Sequence, residues 1–292
     1  MKNILNYYYH MILNDSDLEN GYFTYNNYHF CLYEYKRSLE EVNALWFINN
    51  YMLNNRIPIN KIILNVNNEV ITYYEGKNYV LLLLNNLNNK ISFRPYLALL
   101  NDKTEILKRN NWAYLWSMKV DYIEYQMFHL ENKYPIINKS INYYIGLAEN
   151  AIEYFKMIKL DHESLYFNHR RMNKKNFYNP MEIVIDYKVR DICEYFKKAF
   201  FRNEMSILEI KSVIKNLELS YIDCMLLYVR MLYPSFYFDI YENIVNNNLE
   251  EEKILVITNK VSLYEELLFE IYQVIVRKYN ILGIEWINKK FI

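Results

Sequence analysis

The apolar pattern of this chain changes period once, near residue 85, and that change limits the folds open to it. Up to Leu84 the apolar residues come in short runs of strand length around a single helical stretch. From Asn111 onward they recur at helical spacing, broken by one brief return to strand-like runs around residues 165–185. A chain written this way makes a small sheet carrying one helix, followed by a mostly helical body.

Local signals fill in the elements. Tyr22 to Tyr35 reads as two strands around a turn at Asn26-Asn27. Ser38, with Glu41 three residues later, reads as a capping box opening a helix from Leu39 to about Leu53, with Leu39, Val42, Trp46 and Met52 on its apolar stripe. Pro58 bars its continuation. Lys61–Val66 and Val70–Tyr74 read as a hairpin across Asn67-Asn68, and Tyr79–Leu84 as a buried strand. Beyond the change of period, helices are expected over 111–133 and 142–160, then, after the short β interlude, over 189–203, 206–217, 219–232, 235–247 and 261–279. The reading is an α+β fold of two lobes: residues 1–86 a small β-rich lobe with one helix, residues 87–292 a larger helical lobe.

Composition removes whole classes of function. The chain has 292 residues, 52% of them hydrophobic, which supplies a core and argues against disorder. Lys+Arg and Asp+Glu balance at 34 each, so no excess positive charge supports nucleic-acid or anionic-membrane binding. The four glycines, Gly21, Gly76, Gly146 and Gly283, are isolated, which excludes a GxGxxG or Walker-type phosphate loop. Cys31, Cys193 and Cys224 are far apart and read as buried thiols of a reducing compartment. His10, His29, His129 and His162 show no metal-ligand spacing. The N-terminal stretch lacks the apolar core of a signal peptide, and the longest apolar run, Tyr79 to Leu84, is too short to span a bilayer. A cytoplasmic protein is expected.

The chemistry-bearing stretch is FNHRRMNKKNFYNPMEIVIDYKVRD, residues 167–191. It resembles the kinase pattern H-R-D-x-x-x-x-N followed by a strand ending in D-F-G. His169 and Arg170 fit the first two positions, Arg171 falls at the catalytic Asp, and Asn176 lies five residues on; Asp186 falls at the metal-binding Asp, followed by Tyr187 and Lys188. With Arg190-Asp191 opening the next helix, the run is similar to bacterial spore-coat kinase-like proteins, relatives of aminoglycoside and homoserine phosphotransferases, and to a branch carrying H-R-R where active members carry H-Q-D or H-G-D. The resemblance implies a bilobal protein-kinase-like fold.

It also implies lost catalysis. A guanidinium is donor-only and always protonated, so Arg171 cannot accept the proton of a substrate hydroxyl. The resemblance places a phosphate-pairing Lys at the end of Phe30-Cys31-Leu32-Tyr33, where Tyr33 stands; Lys36 is too near the helix start to replace it. Its partner Glu would lie within the following helix, which offers only Glu40 and Glu41 in its first turn. Asp186 and Asn176 are vestigial metal candidates that leave room for residual binding of ATP and Mg²⁺; no cofactor is required. Each has a plainer reading as well: His169 as a satisfied turn histidine, Asp186 as an acceptor after a strand, Asp191 at a helix N-terminus. The tyrosine surplus, 32 residues, suits a protein-assembly surface and equally an AT-rich coding sequence. The expectation is a pseudokinase binding sporulation or spore-coat proteins and deposited on the coat. The rival is an active small-molecule phosphotransferase using Asp161 or Asp191 as its base.

Overall fold

The computed structural model describes residues 1–13, 21–85, 93–130, 133–160, 163–172 and 176–291. The chain divides into two compact units, one formed by residues 1–108 with 165–186, the other by 109–164 with 187–292. The lobe boundary expected between residues 86 and 87 falls outside the described residues.

In the first unit, α1 (Lys2–Tyr9) precedes β1 (Tyr22–Tyr25), β2 (Tyr28–Tyr35), α2 (Leu39–Asn54), β3 (Lys61–Ile63), β4 (Thr72–Tyr74) and β5 (Lys77–Leu83). Helix α1 was not read from the sequence; its buried Ile4 and Leu5 pack on Phe23, Phe30, Leu32 and Leu81. β1 and β2 form the expected hairpin, and Asn26 and Asn27, at φ 49° and 65°, supply the two left-handed residues a tight turn between twisted strands needs. Gly21 is held at φ +87° by a bond from Leu32 N to Gly21 O, and a Cβ there would meet Leu32 O at 2.7 Å.

The anticipated hairpin of Lys61–Val66 with Val70–Tyr74 is not formed. β3 and β4 instead lie one after the other along the same edge of β5, with β2 on its other edge. Between them the chain is knotted by Asn65, whose Oδ1 accepts from the backbone N–H of Asn67 and Glu69 and whose Nδ2 reaches Ile71 O. Those side-chain bonds displace the ladder a hairpin would make. The tight hairpin is β4–β5, turned at Glu75-Gly76, both with positive φ.

Ser38 Oγ caps α2 by accepting from Glu41 N. The buried stripe of α2 is Val42, Leu45, Ile48 and Met52. Leu39, which the sequence reading puts on that stripe, is 66% exposed and lies outside it. Buried Asn49 clamps the helix to β3, donating to Asn60 O at 2.8 Å and accepting from Ile62 N at 3.1 Å. A second sheet completes this unit: β6 (Tyr96–Leu97), absent from the sequence reading, pairs with β7 (Tyr166–His169), which pairs with β8 (Ile183–Asp186). β7 and β8 are the expected interlude.

The second unit is helical: α3 (Trp112–His129), α4 (Pro135–Met157), α5 (Arg190–Phe201), α6 (Ile207–Asn216), α7 (Tyr221–Leu232), α8 (Ser235–Asn247), α9 (Leu255–Thr258), α10 (Val261–Val276) and α11 (Glu285–Phe291). α4 begins seven positions before the expected Asn142, since Pro135 occupies a first-turn position, where its missing N–H and fixed φ suit a helix start. At the centre of this unit Glu194 and Lys197 of α5 meet Arg230 of α7 and Ser235 of α8, all buried. Lys197 Nζ donates to Glu194 Oε1, Arg230 O, Tyr233 O and Ser235 Oγ, and Arg230 Nη2 lies 2.8 Å from Glu194 Oε1. The Arg230 guanidinium covers the Trp112 ring at 4.9 Å. Among the described residues, no helix is long and apolar enough to cross a membrane.

Candidate functional site

The catalytic-loop-like stretch starts at the end of β7. His169 is buried, its Nε2 is 2.8 Å from Phe177 O and its ring stacks on Phe177 with centroids 5.5 Å apart. With a carbonyl as acceptor, Nε2 carries the proton and the imidazole ties the two ends of the loop together. Arg171 is exposed and its Nη1 donates to Arg170 O at 3.0 Å, while Asn176 Nδ2 donates to Arg171 O at 2.6 Å. Both of these bonds run to carbonyls of the same stretch. Asp186 ends β8 with its side chain fully buried, and its backbone carbonyl accepts from Asn168 Nδ2 at 3.1 Å.

A carboxylate and an amide oxygen are the right donor types for Mg²⁺. In this structure Asp186 is buried and Asn176 half-buried. Among the described residues, no three His, Cys, Asp or Glu gather as a metal group. Of the alternative bases, Asp191 lies in the first turn of α5 and Asp161 is outside the described residues.

The position expected for the phosphate-pairing Lys belongs to the same unit. Alternation along β2 puts Cys31, Tyr33 and Tyr35 on one face. The Tyr33 hydroxyl donates to Glu182 Oε1 at 2.6 Å, just ahead of β8. Burial, then the bond to Glu182 and its charge, push the Tyr33 phenol well above its ordinary range, against the opposing charges of Arg170 and Arg37. Arg37, in the turn between β2 and α2, donates through Nη1 to Ile183 O at 3.3 Å. Arg170 N donates to Glu182 O at 2.9 Å. Lys36 stays at the surface, 3.7 Å from Glu34. Tyr33, Tyr35, Arg37, Arg170 and Glu182 line one cleft of about 710 Å³. Sequence reasoning singled out Tyr33 and Arg170 but missed Tyr35, Arg37 and Glu182. The available signal was a tyrosine replacing a lysine on a strand, since a part-buried hydroxyl demands a partner.

A family model described as spore coat putative kinase YutH matches residues 2–268. The endospore coat-associated protein YutH of Bacillus subtilis (strain 168) is 28% identical over 184 residues, 54% of this chain and 54% of that protein, so the chain spans about half the length of the curated relative it matches. Among solved structures, spectinomycin phosphotransferase, determined with ADP and spectinomycin, superposes with a TM-score of 0.58 at 9% identity, covering 94% of this chain and 97% of that one. An aminoglycoside phosphotransferase from Alicyclobacillus acidocaldarius gives 0.54 at 8% identity, covering 90% and 95%. At such identities the likeness establishes the fold alone: α+β, bilobal and kinase-like.

Proposed function

Because the chain belongs to the YutH family of spore coat kinase-like proteins, we propose that it acts as a catalytically inactive binding protein of the spore coat. Phosphoryl transfer requires a positioned acceptor for the substrate proton, a cation on the phosphates, and a metal bridge. Arg171 carries the case. It stands at the acceptor position, offers only donors, and lies in a loop bonded to its own carbonyls. Two further observations support the reading. Tyr33 replaces the phosphate-pairing cation and is already bonded to Glu182. The β1–β2 connection is a two-residue asparagine turn, too tight to arch over a nucleotide.

On this reading the protein is made in the cytoplasm, joins the coat through contacts with other coat proteins, and needs no cofactor. The curated relative's coat association supports that assignment. Incubation with Mg·ATP and a panel of aminoglycosides, homoserine and choline tests it; no turnover is expected. Asp186-dependent phosphorylation of any of them overturns the proposal and favours a working phosphotransferase with Asp161 or Asp191 as base. Calorimetric titration with ATP, with and without Mg²⁺, alongside Asp186→Ala, shows whether Asp186 and Asn176 retain a vestigial metal role.

A further inference from the structure

Helix α3 is apolar on both sides. Trp112, Trp116, Val120 and Ile123 are buried on one side. On the other, Tyr114, Leu115, Met118, Tyr122, Tyr125 and Phe128 are all exposed, Tyr125 to 63% and Phe128 to 77%. Among the described residues, every other helix leaves at most one large hydrophobic side chain exposed. A helix that is apolar all round is normally buried all round, so the outer face of α3 calls for a second covering. The six side chains offer roughly 600–700 Å² of open surface, at about 200 Å² for each when fully exposed. Apolar patches beyond a few hundred Å² are rare on monomers, and a stable interface takes about 800 Å² from each partner. The outer face of α3 alone supplies most of that.

The order of these residues specifies the shape of what covers them. Leu115, Met118, Tyr122, Tyr125 and His129 follow at alternating steps of three and four, the spacing of a helix–helix seam. Tyr114, Asp121 and Phe128 form a second row beside it, seven residues apart. The Tyr125 and Phe128 rings lie 4.4 and 5.4 Å from the His129 ring, so one end of the seam is an aromatic cluster. Along the other long edge the chain's own fold intervenes: Lys119 pairs with Glu242 of α8, and Gln126 Nε2 donates to Asn246 Oδ1 and to the Tyr122 hydroxyl. The charges left on the open face are of one sign. Asp121 and Glu124 are exposed there with no ion pair among the described residues, and the only Lys or Arg in α3 is the engaged Lys119.

The geometry points to a docking face for an amphipathic helix of another protein, with apolar residues at the same three-and-four spacing and Lys or Arg beside them. A second copy of this chain is a poor occupant, because a two-fold contact sets a face of unpaired carboxylates against itself. The face belongs to the second unit and uses no residue of the catalytic-loop-like stretch. Only the partner's place in the coat rests on the proposed function, and peptide binding and Mg·ATP turnover are separate readouts.

The test is fluorescence anisotropy of a labelled synthetic peptide of α3's length, with leucines at that spacing and lysines beside them, titrated with the full chain. A counterpart with glutamates for the lysines is the control, and sedimentation velocity gives the oligomeric state of the chain alone. A monomer is expected, with saturable binding of the lysine peptide and binding of the glutamate peptide weaker by roughly tenfold or more. Tyr125→Ala combined with Phe128→Ala should weaken lysine-peptide binding by about tenfold or more and leave the unfolding midpoint unchanged, both rings being exposed. Asp121→Lys should narrow or reverse the preference between the two peptides. No saturable binding of the lysine peptide overturns the proposal, as does equal affinity for the two peptides or unaltered binding by the double variant. A parent chain that sediments as a dimer, and as a monomer once both rings are removed, assigns the face to a second copy and overturns it too.

Discussion

Tyr33 and Glu182, 149 positions apart, are joined by a 2.6 Å hydrogen bond from the phenol to the carboxylate. The bond links strand β2 to the turn just ahead of the strand that ends in Asp186.

Removing that tie should cost stability. Tyr33→Phe deletes a hydrogen bond to a charged acceptor and leaves Glu182 with one donor fewer; because the phenol is only part-buried, the expected loss is about 1–2 kcal/mol. Urea unfolding of the two proteins measures it, and a loss below about 0.3 kcal/mol would mean the bond exchanges freely with water.

Restoring the acidic residue alone should not restore activity. Arg171→Asp recreates the catalytic-loop pattern, but Tyr33 still offers no cation and Asp186 is still closed to solvent. Turnover of Mg·ATP is expected to stay at background. Since Arg171 is exposed, stability should change by less than about 0.5 kcal/mol. Measurable phosphorylation by this single variant contradicts the reading.

The buried cluster of the second unit predicts an ordering of two variants. Glu194, Lys197 and Arg230 together carry one net positive charge, and burial, aided by Arg230 and opposed by Glu194, lowers the Lys197 pKa to about 8. Lys197→Met leaves Glu194 and Arg230 balanced at 2.8 Å, whereas Glu194→Gln leaves two buried cations facing each other. Glu194→Gln should therefore cost about 3–5 kcal/mol and Lys197→Met clearly less. Denaturant midpoints give the order directly; the reverse order would show that the four acceptors around Lys197 Nζ matter more than net charge.

High pH should unfold the protein cooperatively. Burial raises the phenols of Tyr144, Tyr154, Tyr228, Tyr237, Tyr241 and Tyr264 above the ordinary value of 10.0. Burial likewise raises the Cys31 and Cys224 thiols to about 11 and Cys193 to about 12, from 9.0. Above these ordinary values the folded state holds protons that the unfolded state has released, so the stabilising contribution is complete below pH 9, then falls as pH rises through 10 and beyond. Tyrosinate absorbance should lag that of the denatured chain and then rise together with the loss of helical circular dichroism. A gradual titration with no structural change would contradict this.

The legible parts of the fold are those written in neighbouring residues. Asn26-Asn27 between aromatic runs specified the β1–β2 hairpin, and the continuous Tyr79–Leu84 run specified the central strand, because turn chemistry and strand burial are local. The His169–Arg170–Arg171 loop and Asp186 were recognisable as a spaced pattern. Where a local signal competed with side-chain bonding, the sequence misled: Asn67-Asn68 looked like a hairpin turn, but Asn65 captured the surrounding backbone. α1 and the two-residue β6 escaped notice because each depends on a surface supplied from elsewhere in the chain.

The sequence by itself determined the order of elements, the lack of a glycine-rich phosphate loop, and the cation at position 171. Those follow from residue identity and short-range periodicity. Only the tertiary structure decided that Tyr33 meets Glu182 and that Arg37 is pinned to Ile183. Such pairings join segments some 150 residues apart, and no local pattern encodes which distant group a buried polar atom will find.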